Sequence, residues 1–533
     1  MIARAQPDGP ASRSLRQVAG RTVDTTLRLW NAGLALANDR DVPSPYLAEA
    51  LPQLNTDSWK VFPDGRMETT YHLKPSLTWH DGRPLTADDF VFAYRLYSIP
   101  ELGEATLPPF KQLEDVQALD DRTILFRWRE PYADAGALQA VQQVGFMPLP
   151  RHVLEPSFGL AQSNPEAFSA HPFWGSEFVG LGPFRLEHLE PGAFFEGSAF
   201  DNHALGRPKI DRVRLLFMSD ANTVLANLLS GDAHVAVDDS IRFQQAAILQ
   251  REWGSRNGGS IILSPAQLRY TQAQARPEFV NPRGLLDVRV RRAVAHTIDR
   301  QGLSDAMLEG QGLVADAMIV PQVDYFGEVE RVISRYPYDV RRADQLMTEA
   351  GYTKGGDGIF THPTDGRFAP EVRVLQSPAN ESEATIIADS LRRAGMDSSI
   401  YVVSQAEAQD GRIRATYPGF SASSVINGNE PPLDRLRISE IATPENRYRG
   451  SNFGGWNSPE FDRLVSTYEN NLERGERNRI AVQMMRLISE EVPTIPLFYN
   501  FMVTPHVAML RGPTTAVSAR TAGWNVHEWY WTS

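Results

Sequence analysis

The chain has 533 residues, a length that indicates more than one domain. Its apolar fraction of 42% excludes wholesale disorder, and its formal net charge of −12 argues against a phosphate-backbone partner, so we expect no nucleic acid to bind. The absence of cysteine excludes disulfides, thiolate metal sites and thiol nucleophiles.

The N-terminal segment, MIARAQPDGPASRSLRQVAG, is polar and rich in Pro, Gly, Ser and Arg. It lacks the apolar middle of a signal peptide, and no run of about 18 apolar residues predicts a transmembrane helix. We predict that residues 1–23 form a flexible tether. The protein is then either cytoplasmic, or exported by a signal that Met1 has replaced.

The first structured region is predicted to be α+β. METTYHLK (67–74) alternates between apolar and polar residues, as a half-buried strand does, and a short strand around Trp59 precedes it. The Asp-Gly pair at 81–82 predicts a turn, after which Thr86 begins a helix. RTILFRWRE (122–130) alternates in the same way and predicts a further strand.

The middle of the chain predicts a strand–helix–strand unit. KIDRVRLLFM (209–218) is typical of a strand, Asp220 can cap the helix ANTVLANLLSG, and Gly231 ends that helix. The short apolar strand AHVAV (233–237) follows. Two strands joined by one helix indicate a buried parallel sheet.

A second α/β region runs from about 285 to 490. Helical periodicity predicts helices at DVRVRRAVAHTIDRQ (287–301), DVRRADQLMTEAGY (339–352), ESEATIIADSLRRAG (381–395) and SPEFDRLVSTYENNL (458–472). Strand signals predict a hairpin at GYTKGGDGIFTHPTDGRF (351–368), a strand at EVRVLQS (371–377) and strand-rich structure at PTIPLFYNFMVTPHVAML (493–510).

The order of these blocks resembles that of the family 5 solute-binding proteins of ABC importers, the peptide, nickel and opine type. PYLAEA, then SWKVFPDGRMETTYHLKPSLTWHDGRPLTADDFVFAYR, is similar to the signature of that family. GLGPFRLEHLEPG, LDVRVRRAVAHTIDRQGL, YDVRRADQLMTEAGYTKGGDGIF and GGWNSPEFDRLVSTYE continue in the family's order. The resemblance covers about 45–510, with LPQLNTD as an insertion before Ser58.

The resemblance implies an α/β, two-lobe periplasmic-binding-protein (type II) fold that closes on its ligand. Lobe I would comprise residues 24–45, 178–268 and 492–533. Residues 46–177 would form an extra α+β subdomain of lobe I, and residues 269–491 would form lobe II. The strand–turn–helix corner around Trp79 would then be scaffolding in the extra subdomain.

Signals for an enzyme are missing from the sequence. There is no HExxH, GxSxG or GxxxxGK[ST] motif, and the eleven histidines are scattered. Acidic pairs such as Asp88-Asp89 and Asp238-Asp239 are adjacent, and neighbours on a strand point to opposite faces. We therefore expect no catalysis, no cofactor and no metal. Basic residues at Arg289, Arg291, Arg292 and Arg300 are predicted to form a solvated helix face.

Aromatic, amide and hydroxyl side chains near the implied lobe crossings are the candidate ligand-binding residues, since a closed site buries apolar area and satisfies a few polar groups. LRLWNAG would place the first two of them at the end of the first strand. Packing in a core is the alternative role for every aromatic among them. The candidates are Trp30, Asn31, Gln267, Tyr270, Tyr417, Phe420, Ser421, Ser423, Asn427, Trp456, Tyr499 and Trp524.

One departure from the family bears on the ligand. Peptide-binding relatives carry an aspartate, in the segment that matches 417–430, which pairs with the ligand's free amine. No Asp lies between Tyr417 and Glu430 in this chain. An unpaired buried ammonium is costly, so either Glu430 or another acid replaces that aspartate, or the ligand is held without a fixed charge.

The sequence and the resemblance together predict an extracytoplasmic receptor, periplasmic or anchored at the cell surface. It would act as a monomer and deliver an oligopeptide or peptide-like solute to a membrane ABC permease. A receptor for a neutral oligosaccharide, with sugar faces stacked on aromatic rings, is the alternative within the class. A soluble enzyme on this fold is the alternative from another class.

Overall fold

The structure is a computed structural model that describes residues 1–4, 24–40, 42–102, 105, 108–138, 146–238, 240–426, 435–514 and 523–532. The chain divides into two compact units. Unit 1 comprises Met1–Ser264, Asn470–Glu473 and Phe501–Ser533, and unit 2 comprises Pro265–Glu469 and Arg474–Asn500. The predicted boundaries of the two lobes and of the extra subdomain stay a prediction.

The strands of the described residues follow one another in chain order. They are β1 (Ile2–Arg4), β2 (Ala35–Ala37), β3 (Pro43–Pro45), β4 (Trp59–Val61), β5 (Met67–His72), β6 (Leu113–Ala118), β7 (Thr123–Trp128), β8 (Phe184–Glu190), β9 (Phe194–Ala199), β10 (Arg212–Phe217), β11 (Val235–Ala236), β12 (Gly259–Ala273), β13 (Leu313–Val314), β14 (Thr353–Lys354), β15 (Phe360–His362), β16 (Gly366–Arg367), β17 (Glu371–Leu375), β18 (Ser399–Val403), β19 (Phe420–Ile426), β20 (Thr494–Val507), β21 (Leu510–Arg511) and β22 (Tyr530–Trp531).

The α-helices of the same residues are numbered in the same way. They are α1 (Asp24–Trp30), α2 (Ala87–Tyr97), α3 (Arg151–Leu154), α4 (Phe158–Ser163), α5 (Pro165–Ser169), α6 (Ala221–Ser230), α7 (Phe243–Gly254), α8 (Val288–Thr297), α9 (Arg300–Leu308), α10 (Phe326–Val332), α11 (Val340–Glu349), α12 (Pro378–Arg393), α13 (Gly411–Ala415), α14 (Pro459–Glu469) and α15 (Arg474–Glu491).

An antiparallel sheet and helix α2 form the strand–turn–helix region of unit 1. The strand order is β4-β5-β7-β6, and Met67 lies opposite Trp128. Burial alternates along β5, as its sequence predicts. The predicted turn follows β5, with Gly82 at a φ of +86°, a conformation that glycine tolerates without a Cβ clash. Helix α2 begins directly after Thr86, so this part of the prediction is confirmed.

The carboxylate of Asp89 holds this corner together. It accepts hydrogen bonds from the Thr86 backbone N–H at 3.0 Å, the Trp79 indole N–H at 3.2 Å and the Arg151 backbone N–H at 2.9 Å. Asp89 is buried, and this burial raises the pKa of its carboxyl. The corner is a structural joint in which one acidic side chain fixes the turn, the helix start and a later segment.

A parallel ladder forms the centre of unit 1. Strands β10 and β11 both pair with β1 in parallel, and Ile2 lies opposite Leu215 on one side and Val235 on the other. Helix α6 connects β10 to β11; it begins after Asp220, whose carboxylate accepts the Thr223 backbone N–H at 2.8 Å. The predicted strand–helix–strand unit is confirmed, with β1 inserted between its two strands.

Two predictions for the N-terminal region are wrong. Residues 2–4 form β1 and pair on both sides, so they are not part of a flexible tether; residues 5–23 lie outside the described residues. Residues 24–30 form helix α1, so Trp30 and Asn31 follow a helix and not a strand. The described side chains of α1 are all buried, and a run that is buried on every side carries no period by which to tell helix from strand.

Unit 2 contains the strand order β18-β17-β19-β12, in which β17 pairs in parallel with β18 and β19, and β12 pairs antiparallel with β19. The predicted helices are confirmed as α8, α11, α12 and α14, and the strand predicted at 371–377 is β17. The predicted hairpin is a three-stranded sheet, β14-β15-β16. The strand predicted after residue 493 is β20, which passes from unit 2 into unit 1.

The predicted solvated arginine face is wrong for two of its members. Arg291 is 7% exposed and donates to the Glu491 carbonyl at 3.0 Å, and Arg300 is 8% exposed and donates to the Ala315 carbonyl at 2.7 Å. Arg289 is the exposed member and pairs with a nearby aspartate. A guanidinium offers five donors, so it can satisfy backbone carbonyls that no sequence pattern marks.

Candidate functional site

The unit 1 candidates surround the end of helix α1. Trp30 is fully buried and packs edge-on against Phe195, with ring centroids 6.5 Å apart, while its indole N–H has no hydrogen-bond partner among the described residues. Asn31 is buried, and its side-chain oxygen accepts the Ala32 backbone N–H at 2.9 Å. Both residues are therefore fixed in the interior of unit 1.

Trp524 belongs to a segment that lies against the same helix. A Cβ atom at Gly523 would stand 2.9 Å from the Thr25 side chain, so the backbone of this segment contacts α1 directly. Trp524 is half-buried, and its indole N–H is a second buried donor without a partner in the described part of the chain. The structure thus brings Trp524 and the helix of Trp30 into one region of unit 1.

The unit 2 candidates centre on the ladder between β12 and β19. Tyr270 lies opposite Ser423, and Gln272 lies opposite Ser421. Residues that face each other across an antiparallel pair share a face, as do residues two apart on one strand, so these four side chains line a single face. Gln267 lies on the opposite face, where its side-chain oxygen accepts from the Asn500 amide at 3.0 Å.

A guanidinium that sequence reasoning missed contacts this polar face. Arg435 donates to the Tyr270 hydroxyl at 3.2 Å, and the Gln272 amide approaches the Asn452 side-chain oxygen at 3.4 Å. Arg435 and Asn452 both lie between the end of β19 and the start of α14. No periodicity or motif marks either residue, because tertiary folding alone brings them to the sheet.

Two aromatic candidates lie on either side of the turn into β19. Tyr417 is fully buried; burial raises the pKa of its phenol, and the hydroxyl has no partner among the described residues. Phe420 is 2% exposed and lies opposite Ala273. Phe420 is displaced by one residue from Ser421, so it belongs to the other face of β19.

Trp456 and Tyr499 are packed into unit 2. Trp456 is 6% exposed and its ring lies 5.2 Å from that of Phe461. Tyr499 is 1% exposed, and its hydroxyl donates to the Ile319 carbonyl at 2.6 Å. Asn427 and Glu430 lie outside the described residues, so for them the structure gives no position.

Two negative findings concern metal binding and membrane insertion. Among the described residues, no group of three or more His, Asp or Glu side chains is placed to hold a metal ion. No helix in the same ranges is long and apolar enough to cross a membrane.

A family model for bacterial extracellular solute-binding proteins, family 5 (middle), matches residues 49–439. The chain belongs to this family. Family 5 proteins are periplasmic or extracellular receptors that bind small-molecule or peptide ligands and work with ABC permeases.

The relatives of this family 5 protein are named for different ligands. The oligopeptide-binding protein AppA of Bacillus subtilis is 24% identical over 474 residues, which cover 86% of this chain and 79% of AppA. The heme-binding protein A of Haemophilus influenzae is 24% identical over 486 residues, which cover 86% of this chain and 80% of the relative. Family membership therefore leaves the ligand class open.

Structural similarity confirms the predicted fold class. The crystal structure of an oligopeptide-binding protein from Thermus thermophilus with a pentapeptide matches with a TM-score of 0.72 at 22% identity, covering 100% of this chain and 96% of that one. The predicted α/β, two-lobe periplasmic-binding-protein fold is confirmed by this similarity.

Proposed function

We propose that this family 5 protein is an extracytoplasmic receptor that captures a peptide or peptide-like solute and delivers it to an ABC permease. The family match over residues 49–439 carries the proposal. The name of the Bacillus subtilis relative, an oligopeptide-binding protein, supports the peptide class. In this proposal the receptor is a monomer and performs no chemistry on its ligand.

The surroundings of the aromatic candidates favour a peptide over the oligosaccharide. A sugar ring stacks on an open aromatic face, whereas the Trp456 ring is 6% exposed and lies 5.2 Å from that of Phe461, and Tyr499 is 1% exposed. Ser421 and Ser423, which are partly exposed on the β12–β19 face, can hydrogen-bond to the peptide groups of such a ligand.

The amino end of the ligand is proposed not to be a buried free amine. The sequence between Tyr417 and Glu430 contains no aspartate to pair with an ammonium. A buried ammonium without a carboxylate costs several kcal/mol, which would remove most of a micromolar affinity. Peptides with a blocked or absent amine avoid this cost.

Thermal-shift measurements on the full chain test the proposal. The probes are a library of N-acetylated pentapeptides, the same library with free amines, and maltopentaose. A ligand at a hundredfold excess over its Kd stabilises the folded state by about 2.7 kcal/mol, so a bound class is visible as a raised Tm. We expect the acetylated library to raise the Tm at least as much as the free-amine library.

Two outcomes would overturn parts of this proposal. A shift with maltopentaose and with neither peptide library would replace the peptide class by the oligosaccharide class. A shift with free amines alone that Glu430→Gln abolishes would show that Glu430 has taken the role of the missing aspartate.

A further inference from the structure

Sulfur in this chain is confined to methionine. The sequence has no cysteine and 12 methionines, and all of these methionines lie in the described part of the chain. The thioether is therefore the sulfur group that a peroxide can oxidise in this protein, since no thiol competes for the oxidant. Which methionine reacts then depends on how far each sulfur is exposed to water.

Met509 is the exposed member of this set. It is 57% exposed, more than any other large apolar residue in the described ranges. The other methionines are all buried or half-buried, and Met347 and Met484 are 0% exposed. The fold thus presents one thioether to solvent and shields the rest.

The backbone around Met509 is fixed by hydrogen bonds. The Met509 carbonyl accepts from the Thr532 backbone N–H at 2.9 Å and from the Thr532 hydroxyl at 3.2 Å. The preceding N–H, that of Ala508, donates to the Gly258 carbonyl at 2.9 Å, and β21 begins at the residue after Met509. Met509 is therefore a solvent-facing side chain on ordered backbone, and its exposure is a property of the fold.

We propose that Met509 is a reversible oxidation site, at which hydrogen peroxide converts the folded chain to the methionine sulfoxide while the buried methionines stay reduced. The thioether sulfur donates an electron pair to one peroxide oxygen, so that the S–O bond forms, the O–O bond breaks and, after proton transfer, water leaves. Sulfur loses two electrons and the peroxide gains them. A sulfoxide reductase that uses a dithiol reverses the step, with the oxygen leaving as water and the dithiol becoming a disulfide.

The position of Met509 makes this modification tolerable for the fold. Sulfoxide formation turns an apolar side chain into a polar, chiral one, which disrupts a core. At Met347 or Met484 the added oxygen would be a buried polar group, and such a group is costly without a hydrogen-bond partner. At Met509 water can hydrate the sulfoxide, so exposure is the common cause of selectivity and of tolerance.

The test uses the folded full chain, limiting hydrogen peroxide, and peptide mapping by mass spectrometry to follow every methionine over time. A buried sulfur reacts only when the structure opens locally. Met509 should be oxidised at least about tenfold faster than each buried methionine, because an opening cost of only about 1.4 kcal/mol already gives that ratio. In denaturant all the methionines should react at similar rates, which would assign the selectivity to the fold.

Two leucine variants of similar volume give the matched comparison. Met509→Leu should abolish the fast phase of oxidation, whereas Met502→Leu, which removes a thioether that is 7% exposed, should leave that phase unchanged. Wild type with the sulfoxide at Met509 alone should melt within about 2 °C of the reduced protein, as surface changes do. The two epimer-specific methionine sulfoxide reductases, with dithiothreitol as the dithiol, should then remove the oxygen.

Each result supports or overturns the assignment. A buried methionine that reacts as fast as Met509, or a fast phase that persists in Met509→Leu, overturns the selectivity. A Tm lowered by more than about 5 °C by the sulfoxide at Met509 alone overturns the tolerance, and a sulfoxide that resists both reductases overturns the reversibility. These measurements use no peptide or sugar, so oxidation of Met509 goes beyond the proposed function and stands or falls independently of it.

Discussion

The ion pair between Arg269 and Glu383 should contribute strongly to the stability of unit 2. Arg269 Nε lies 2.8 Å from one Glu383 oxygen and Nη2 lies 2.9 Å from the other, with Asn380 as a further acceptor. The side chains are 12% and 1% exposed. Arg269 lies on the face of β12 opposite Tyr270, so this pair attaches the back of that strand to helix α12.

Glu383→Gln keeps the shape of the side chain and removes its charge, which leaves a buried guanidinium without a counter-ion. The expected loss is about 3–5 kcal/mol in the free energy of unfolding. At roughly 2–4 °C per kcal/mol for a unit of this size, the Tm should fall by about 6–20 °C. Differential scanning calorimetry of the full chain measures this shift.

An exposed pair supplies the control. Arg256 and Glu252 are 3.1 Å apart with side chains 70% and 49% exposed, so Glu252→Gln should cost less than about 1 kcal/mol. Replacing both members of the buried pair, in Arg269→Met with Glu383→Leu, should recover most of the stability, because no isolated charge remains. A Glu383→Gln protein that melts within 2 °C or so of wild type would refute the reasoning.

Three further predictions concern pH, packing and the aromatic candidates. Burial lowers the pKa of His80 and His203 to about 4, so on acidification the unfolded chain takes up their protons at a higher pH than the folded chain does. The free energy of unfolding should be at its full value above pH 6.5 and should fall by about 3 kcal/mol per histidine towards pH 4. A Tm that stays constant over this range would contradict the prediction. Gly182→Ala would place a Cβ 2.4 Å from backbone and should lower the Tm strongly, whereas Gly254→Ala meets no atom within 4 Å and should not. Trp456→Ala truncates a core side chain and should lower the free energy of unfolding by about 3–5 kcal/mol. Calorimetry with the bound peptide class should show little loss of affinity. A large loss of affinity with little loss of stability would instead make Trp456 a ligand anchor.

The sequence predicts those elements whose pattern is local. The alternation of METTYHLK and the capping positions Thr86 and Asp220 correspond to β5, α2 and α6 because period and cap are properties of a few neighbouring residues. Helix α1 could not be predicted because its described side chains are all buried, so its sequence lacks the alternation of apolar and polar residues that marks a helix. Strand β1 could not be predicted because three residues are too few to show an alternation, and because its pairing partners lie more than 200 residues away.

The candidate site is less accessible to sequence reasoning. Aromatic residues such as Tyr499 have suitable chemistry for a ligand, but whether a ring faces a ligand or a core depends on tertiary neighbours that no local pattern encodes. Arg435 illustrates the converse, since its contact with Tyr270 joins residues 165 positions apart. Residues of this kind become visible only when the fold places them together.

The construction of unit 1 from both ends of the chain has a consequence for biosynthesis. β1 pairs with β10 and β11, and β11 also pairs with β20 through His506, so the central sheet of unit 1 needs segments that leave the ribosome more than 500 residues apart. The body of unit 2 lies within one continuous stretch of about 235 residues and can fold while the chain is still being made. Unit 1 must wait for β20, so pulse-labelled nascent chains should gain protease resistance first in unit 2, and in unit 1 only after β20 has left the ribosome.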